Sequence, residues 1–199
     1  MRYAIIGSGK VVQALATAFA RKGLEVAIAS RQPAEALAPI AEAIGPTISP
    51  KSLQDAVQAE IVLLAVPFGT QKDIAKAAER LQGKIVIDVT NAYGVAPEEL
   101  GNLPSSVVIS QAFPGAKLVK GFNSLSAEVL AQDPNVKGGK RVIFLSSDDA
   151  GGAAQVAALV EQLGFAPVHL GKLAEGGLLI QARGKTWAQL IFQDFVKFK

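Results

Sequence analysis

The sequence predicts an α/β fold with a mostly parallel sheet and helices on both faces, and three observations support this prediction. Short apolar runs typical of buried strands alternate with helical patterns along most of the 199 residues. The first run, Tyr3–Ile6, leads into the glycine turn Gly7–Gly9, and a helical pattern follows from about Lys10. A later run, residues 61–66, is apolar on both faces, as in a central parallel strand covered by helices. Together these features indicate a Rossmann-type, doubly wound sheet.

The turn Gly7–Gly9 predicts a bound dinucleotide. Gly7 tolerates the backbone angles of a tight turn, and Gly9 has no side chain to keep a pyrophosphate away from the backbone. Free amides and the positive end of the helix dipole then attract the anion. Val12 replaces the third glycine of this fingerprint, and we expect it to hold helix and strand slightly apart. An ordinary glycine turn of an α/β protein is the alternative interpretation.

The end of the second predicted strand distinguishes NADP(H) from NAD(H). This strand, residues 26–29, is followed by Ser30 and Arg31, and no carboxylate stands where NAD-binding proteins hold the ribose hydroxyls. Arg31 offers a planar fork of donors to a 2′-phosphate, and Ser30 adds a hydroxyl. The alternative is that Arg31 is only a solvated charge at the start of a loop. We therefore predict that the chain binds NADP(H).

Two further strand ends should face the same cleft, because the carboxyl ends of parallel strands lie at one edge of a sheet. Pro67 and Phe68 follow the apolar run described above, and Phe68 is a candidate contact for adenine, ribose or nicotinamide. Asn91 and Tyr93 follow the next strand, where Asn91 can pair with a carboxamide and Tyr93 can stack or hydrogen-bond. The alternatives are strand termination with core packing at Pro67 and Phe68, and plain turn residues at Asn91 and Tyr93.

The rest of the chain continues the alternation of strands and helices. Helices are predicted at residues 34–43, 52–58, 71–81 and 148–163, and strands near 47–48, 85–89, 107–109, 118–122, 141–145 and 165–170. Asp88 lies within an apolar strand, so we expect it to have hydrogen-bonding partners and a structural role. Ser126 is placed to cap a short helix.

We expect one domain, residues 1–199, with a mostly helical C-terminal tail from about residue 172. An apolar face of this tail closes the core or packs against a second subunit, so a homodimer is one option. The residues of this face are Trp187, Leu190, Ile191, Phe195 and Phe198.

Composition excludes several classes of site. The chain has no cysteine, which rules out disulfides and cysteine metal sites, and its only histidine, His169, rules out a histidine-rich metal site. The net charge is only +3 and no dense basic run is present, so nucleic acid is not indicated. No apolar run approaches the roughly 18 residues that cross a bilayer. The first residues form a strand rather than a signal peptide, so we expect a cytoplasmic protein.

The order and spacing of these motifs resemble the deazaflavin-dependent NADP reductase family. The segments that carry the resemblance are Ala4–Val11, Ala29–Arg31, Ala65–Pro67, Ile87–Asn91, Val119–Ser124 and Leu170–Gly177. The resemblance implies hydride transfer between NADPH and a deazaflavin coenzyme. It also implies that the nicotinamide sits between the loops at Pro67–Phe68, Asn91 and Asn123–Ser124.

The predicted contacts follow from these motifs and from the resemblance. The cofactor contacts are Gly7, Ser8, Gly9, Lys10, Val11, Val12, Ser30, Arg31, Ala65, Val66, Pro67, Asn91 and Asn123, and the substrate contacts are Phe68, Tyr93 and Ser124. No side chain is assigned a catalytic role, because hydride transfer between two rings needs orientation above all.

We therefore predict an NADP(H)-dependent oxidoreductase with a small-molecule acceptor such as a deazaflavin, a flavin or a quinone-like compound. Two alternatives stay open. One is a small NADPH-dependent imine or quinone reductase, and the other is a catalytically silent NADP(H)-binding module that senses redox state.

Overall fold

The structure is a computed structural model that describes residues 1–76, 81–182 and 194–198. Its helices are α1 (Lys10–Arg21), α2 (Ala38–Ile44), α3 (Leu53–Ala56), α4 (Gln71–Ala75), α5 (Ser105–Ala112), α6 (Ala127–Ala131), α7 (Ala150–Gln162) and α8 (Gly176–Ile180). Its strands are β1 (Tyr3–Ile6), β2 (Val26–Ala29), β3 (Ile48–Pro50), β4 (Ile61–Leu64), β5 (Ile85–Asp88), β6 (Lys117–Lys120), β7 (Asn135–Val136), β8 (Gly139–Ser147), β9 (Ala166–His169) and β10 (Val196–Lys197). Single 3-10 turns are formed by Ala34–Leu37 and Pro97–Leu100.

The central part of the sheet has the strand order β3-β2-β1-β4-β5-β6, with all neighbours parallel. This is the strand order of dinucleotide-binding sheets, so the predicted Rossmann-type fold is confirmed. The order reverses between β1 and β4, where Ile6 is in register with Leu64. A ligand of such a sheet binds in the crevice beyond the carboxyl ends of these two strands.

The sheet continues beyond β6 with mixed directions. β8 runs antiparallel to β6, with Val119 in register with Ser147, and β9 lies parallel to β8. β7 and β10 pair antiparallel with the first half of β8. The strands after β6 therefore extend the sheet away from the crevice between β1 and β4.

Helices cover both faces of the parallel strands, as predicted. Every residue of β4 and β5 is buried, and alternate residues point to opposite faces. On one face the core joins Ile5 and Leu63 to α1 and α7, for example through Phe19. On the other face Val62 packs with residues of α3, α4 and α5, for example Ile109. Two cores thus hold the strand ends at fixed positions.

The predicted strand at residues 107–109 is wrong, because these residues belong to α5. Pro104 stands just before this helix, where its fixed φ and missing amide hydrogen are compatible with a helix start. Ile109 is fully buried in the core beside α4. A run of three apolar residues suits a buried helix as well as a strand, so periodicity did not separate the two.

The tail is helical only in part. α8 lies in the predicted helical region, but Val196–Lys197 forms β10 instead, and the ring of Phe195 packs edge-on against Phe144 with centroids 5.9 Å apart. Pairing with β8 gives these backbone groups hydrogen-bonding partners that a short helix at a chain end lacks. Three residues of the predicted apolar face lie outside the described residues, namely Trp187, Leu190 and Ile191.

The predicted polar loop of residues 133–139 also differs from the structure. It contains the two-residue strand β7, which pairs with β8. Within the described ranges, no helix is long and apolar enough to span a bilayer.

A candidate dinucleotide-binding site

A cleft of about 510 Å³ lies beyond the carboxyl ends of the parallel strands. Its walls come from the turn after β1, the residues after β2, the loop after β4 and the segments that follow β5 and β6. Most of the predicted contacts line this one cleft, namely Gly7, Ser8, Gly9, Lys10, Val11, Ser30, Arg31, Ala65, Val66, Pro67, Asn91, Tyr93 and Asn123. The sheet therefore brings together residues that are far apart in the chain.

Gly7 and Gly9 of the first turn are glycines for different structural reasons. Gly7 has a φ of +142°, and a Cβ built there would overlap the carbonyl oxygen of Ala65. The amide of Gly7 also donates to the carbonyl of Ala29 at 2.8 Å, so its place is fixed by the fold. Gly9 has a φ of −87°, and a Cβ there would meet nothing within 4 Å. The fold thus requires Gly7, whereas the space above Gly9 is open to the cleft.

The start of α1 offers backbone amides to an anion. Gly9 is the N-cap and provides no side-chain cap, and the first helical turn contains no acidic residue. The first bonds within the helix are those from the amides of Val12 and Gln13 to the carbonyl of Gly9, at 3.1 and 3.3 Å. The amides that come before them, at Lys10 and Val11, precede the helical hydrogen-bond ladder. This arrangement suits a phosphate group.

Val12 does not face the cleft, which corrects its prediction as a cofactor contact. Its side chain is only 1 % exposed and belongs to the core around α1. Its Cγ2 would lie 2.9 Å from a Cβ at Gly7, so Val12 fills the space that Gly7 leaves. Its amide is already bonded to Gly9, as described above. The valine at the third glycine position is therefore accommodated by packing under the turn.

The end of β2 places a cation on the wall of the cleft. Arg31 has a side chain that is 67 % exposed, and its Nη1 lies 3.3 Å from Asp73 Oδ2 in α4. Ser30 is nearly buried, and its Oγ accepts a hydrogen bond from the amide of Gln32 at 3.0 Å. Among the described residues that line the cleft, none is acidic. The cleft is therefore suited to an anionic ligand.

The loop after β4 corrects the prediction for Phe68. Its ring is partly buried and packs against the core formed with α3, α4 and α5, instead of lining the cleft. Thr70 and Ile74 line the cleft in its place. Sequence reasoning missed both residues, although Thr70 lies only three positions beyond Pro67 at a strand end.

A buried ion pair supports the floor of the cleft. Lys120 Nζ lies 3.0 Å from Asp88 Oδ2, and both side chains are fully buried. Asp88 Oδ1 accepts from the amide of Thr90 at 2.9 Å, and Lys120 also donates to the Thr90 carbonyl. Burial lowers the pKa of Lys120, and the charge of Asp88 acts in the opposite direction. The expected structural role of Asp88 agrees with these contacts, and Thr90 is a lining residue that the sequence analysis missed.

Asn91 and Asn123 bond to each other and to the C-terminal segment. Asn91 Nδ2 donates to the Asn123 carbonyl at 3.0 Å, and Asn123 Nδ2 donates to Asn91 Oδ1 at 3.0 Å. Asn123 Nδ2 also donates to the carbonyl of Ile180 at 2.8 Å, and the amide of Ala182 donates to Asn91 Oδ1 at 3.3 Å. The two asparagines thus fasten residues 180–182 to the ends of β5 and β6.

The end of β6 has an unusual backbone. Phe122 has a φ of +61°, a rare value for a bulky residue. Its ring is almost fully buried, meets Phe165 edge-on with centroids 6.5 Å apart, and lines the cleft together with Leu125. Ser124, a predicted substrate contact, is only 2 % exposed and does not line the cleft, which corrects that prediction. Nothing in the local sequence indicates that Phe122 adopts a left-handed conformation.

Tyr93 is a titratable side chain on the β5 side of the cleft, whereas Arg31 lies on the β2 side. It lies beyond β5 and is 42 % exposed, and burial raises its pKa to about 12. The phenol therefore stays protonated at neutral pH and can donate a hydrogen bond to a ligand. Within the described residues, no group of three or more histidine, aspartate or glutamate side chains is arranged to hold a metal ion. The chemistry available in the cleft is thus that of amides, hydroxyls and two cations, Lys10 and Arg31.

Comparison with known proteins gives one family match and several similar crystal structures. Residues 2–92 match the family described as "NADP oxidoreductase coenzyme F420-dependent". The crystal structure of a hypothetical protein from Sinorhizobium meliloti is 38% identical, with a TM-score of 0.90 over 99% of this chain and 96% of that chain. A proposed F420-dependent NADP-reductase from an Arthrobacter species is 28% identical, with a TM-score of 0.73 over 87% of this chain and 86% of that chain.

The curated relatives are longer proteins. Metalloreductase STEAP3 of Rattus norvegicus is 29% identical over 173 residues, which are 85% of this chain and 34% of that protein. The chain therefore spans about a third of the length of the curated relatives it matches.

Proposed function

We propose that the chain transfers hydride between NADP(H) and a flavin-like or deazaflavin acceptor, because residues 2–92 match the family described as "NADP oxidoreductase coenzyme F420-dependent" and the fold is similar to that of a proposed F420-dependent NADP-reductase. The observation that carries this proposal is the open space above Gly9. A Cβ there would meet nothing within 4 Å, at the start of α1 and in the same cleft as Arg31. A glycine that the fold does not require is expected where a ligand approaches the backbone.

Successive groups of NADP(H) can each be matched to residues that line the cleft. The amides of Gly9, Lys10 and Val11 would hold the pyrophosphate, and Ser30 with Arg31 would hold the 2′-phosphate of the adenosine. Ser8 and the loop Ala65–Pro67 would flank the cofactor between these ends. When bound, NADPH supplies the hydride, so the protein's own task is binding and orientation.

The nicotinamide end would lie near the ends of β5 and β6. Asn91 and Asn123 line the cleft there while they bind residues 180–182, so we assign them a shared role as cofactor contacts and supports of the tail. Tyr93 would donate to the acceptor from the open side. We further propose a single domain whose tail, from about residue 172, borders this end. Size-exclusion chromatography tests whether two such chains form a homodimer.

The acceptor is proposed from the chemistry of the lining. The titratable lining residues of the described chain are Lys10, Arg31 and Tyr93, and Arg31 is assigned to the 2′-phosphate above. A ring that accepts hydride from a correctly placed donor needs little more than orientation. A flavin-like or deazaflavin ring therefore fits better than a substrate that depends on a strong acid. The curated relatives are named metalloreductases, so a ferric chelate with added flavin belongs in the same acceptor panel.

Two measurements test the proposal. Arg31→Ala should weaken NADPH binding by about 1–3 kcal/mol, the loss expected for a charge-assisted contact, and leave NADH binding unchanged. Arg2→Ala removes the same charge at the other end of β1 and serves as the control. Equal weakening toward both cofactors would contradict the phosphate contact at Arg31.

Stopped-flow oxidation of bound NADPH tests the chemistry. We expect faster oxidation when the deazaflavin coenzyme or FMN is added. Tight NADPH binding with no acceleration by any flavin, deazaflavin, quinone or ferric chelate would contradict the reductase and favour a silent redox-sensing module.

A further inference from the structure

The guanidinium proposed to hold the 2′-phosphate already has an anionic partner. Arg31 Nη1 lies 3.3 Å from Asp73 Oδ2, and Asp73 Oδ1 lies 3.7 Å from Lys76 Nζ. Asp73 thus stands between two cations at the adenosine end of the cleft. Its carboxylate also accepts a hydrogen bond from the Arg31 guanidinium.

The position of Asp73 is set by α4 and not by Arg31. Asp73 lies in the first turn of this helix, and its amide donates to the carbonyl of Thr70 at 3.1 Å. Thr70 and Ile74 of the same segment line the cleft. The ion pair therefore joins the two sides of the cleft, one formed by the end of β2 and the other by α4.

The pair contributes little to the stability of the fold. The side chains of Arg31 and Asp73 are 67 % and 47 % exposed, and exposed ion pairs are worth about 0–1 kcal/mol. Such a contact can break or shift when a more highly charged partner arrives. Its main consequence is therefore expected in ligand binding.

We propose that Asp73 competes with the 2′-phosphate for Arg31 and so limits the preference of this chain for NADP(H) over NAD(H). The inference rests on the proposed function. A phosphate dianion on Arg31 either displaces Asp73 or lies close to its carboxylate, and both outcomes reduce affinity. NAD(H) carries a hydroxyl at this position and is not repelled. Asp73 therefore weakens binding of NADP(H) but not of NAD(H).

Asp73→Asn tests the proposal, because asparagine keeps the size and one acceptor oxygen but removes the charge. A dianion about 7 Å from a carboxylate in water predicts about fivefold tighter NADPH binding at an ionic strength of about 0.01 M and about twofold at about 0.15 M. NADH binding should not change. Lys76→Met should weaken NADPH binding instead, since it removes a cation that offsets the charge of Asp73. Glu161→Gln on α7, at a residue that does not line the cleft, controls for net charge.

The outcomes separate clearly in a fluorescence titration with NADPH and NADH. Weaker NADPH binding by Asp73→Asn would overturn the proposal, because Asp73 would then orient Arg31 instead of competing for it. Unchanged binding at low salt would overturn it as well. Failure of the proposed function has another signature: Arg31→Ala would leave NADPH affinity unchanged in both the wild-type and the Asp73→Asn background.

Discussion

Replacing Gly9 with alanine tests the cofactor site without disturbing the fold. Gly9 has φ −87° and ψ −177°, an extended conformation that alanine adopts without strain. The added methyl group would meet no protein atom within 4 Å. We therefore expect the free energy of unfolding to stay the same or to rise by about 0.4–1 kcal/mol, because alanine reduces the entropy of the unfolded chain.

The same methyl group should weaken cofactor binding. It would stand between the pyrophosphate and the amides at the start of α1, so at least one charge-assisted hydrogen bond is lengthened or lost. Such bonds contribute about 1.5–3 kcal/mol, which corresponds to about a tenfold to hundredfold rise in the dissociation constant of NADPH. Fluorescence titration with NADPH and urea unfolding of the same Gly9→Ala preparation measure the two effects together.

Gly7→Ala is the matched control, since it adds the same methyl group two residues earlier. Gly7 has a φ of +142°, and its new Cβ would overlap the Ala65 carbonyl oxygen. The backbone strain alone costs about 1–3 kcal/mol, so the free energy of unfolding should fall by at least this amount. If Gly9→Ala binds NADPH as tightly as the wild type, the pyrophosphate does not rest on this turn and the reasoning is refuted.

Three further variants test other parts of the site. Lys120→Met removes the ion-pair partner of the buried Asp88, so urea unfolding should show a loss of about 3–5 kcal/mol in the free energy of unfolding, and adding Asp88→Asn should recover part of it. Asn123→Ala should speed hydrogen exchange of residues 180–182, and unchanged exchange would show that the asparagine bonds do not hold this segment. Tyr93 should keep its proton until a pH of about 12, as followed by the absorbance of the phenolate. This pKa lies above the ordinary 10.0, so the contribution of protonated Tyr93 to the free energy of unfolding is complete below pH 10 and is lost as pH rises to about 12. Tyr93→Phe should remove this pH dependence.

The side of the cleft that contains Gly9 and Arg31 could be predicted because its signals are local. A glycine turn between a strand and a helix places Gly9 beside α1, and the strand that follows carries Arg31 at its end. Each of these residues takes its place from the element directly before it. Parallel pairing of β1 with β2 and β4 then brings the strand ends together without further information from the sequence.

Other features depend on contacts between distant segments, and sequence patterns did not reveal them. Phe68 and Val12 were predicted at the ligand, but each packs into a core on one face of the sheet. Asn91 and Asn123 were predicted as nicotinamide contacts, yet their amides also hold residues 180–182. An apolar side chain beside a strand end can turn toward the core or toward the cleft, and tertiary packing decides between these directions.

The two ends of the cleft are therefore built in different ways, and this difference bears on specificity. The matched family region, residues 2–92, includes the glycine turn, Arg31 and the loop after β4. The other end adds Phe122 and Asn123, which lie outside that region, and side-chain hydrogen bonds of Asn91 and Asn123 hold residues 180–182 beside them. Changes in these later residues can reshape the acceptor side while the backbone amides that would bind the pyrophosphate keep their positions. Under the proposed function, the determinants of acceptor choice in this chain are therefore expected beyond residue 92.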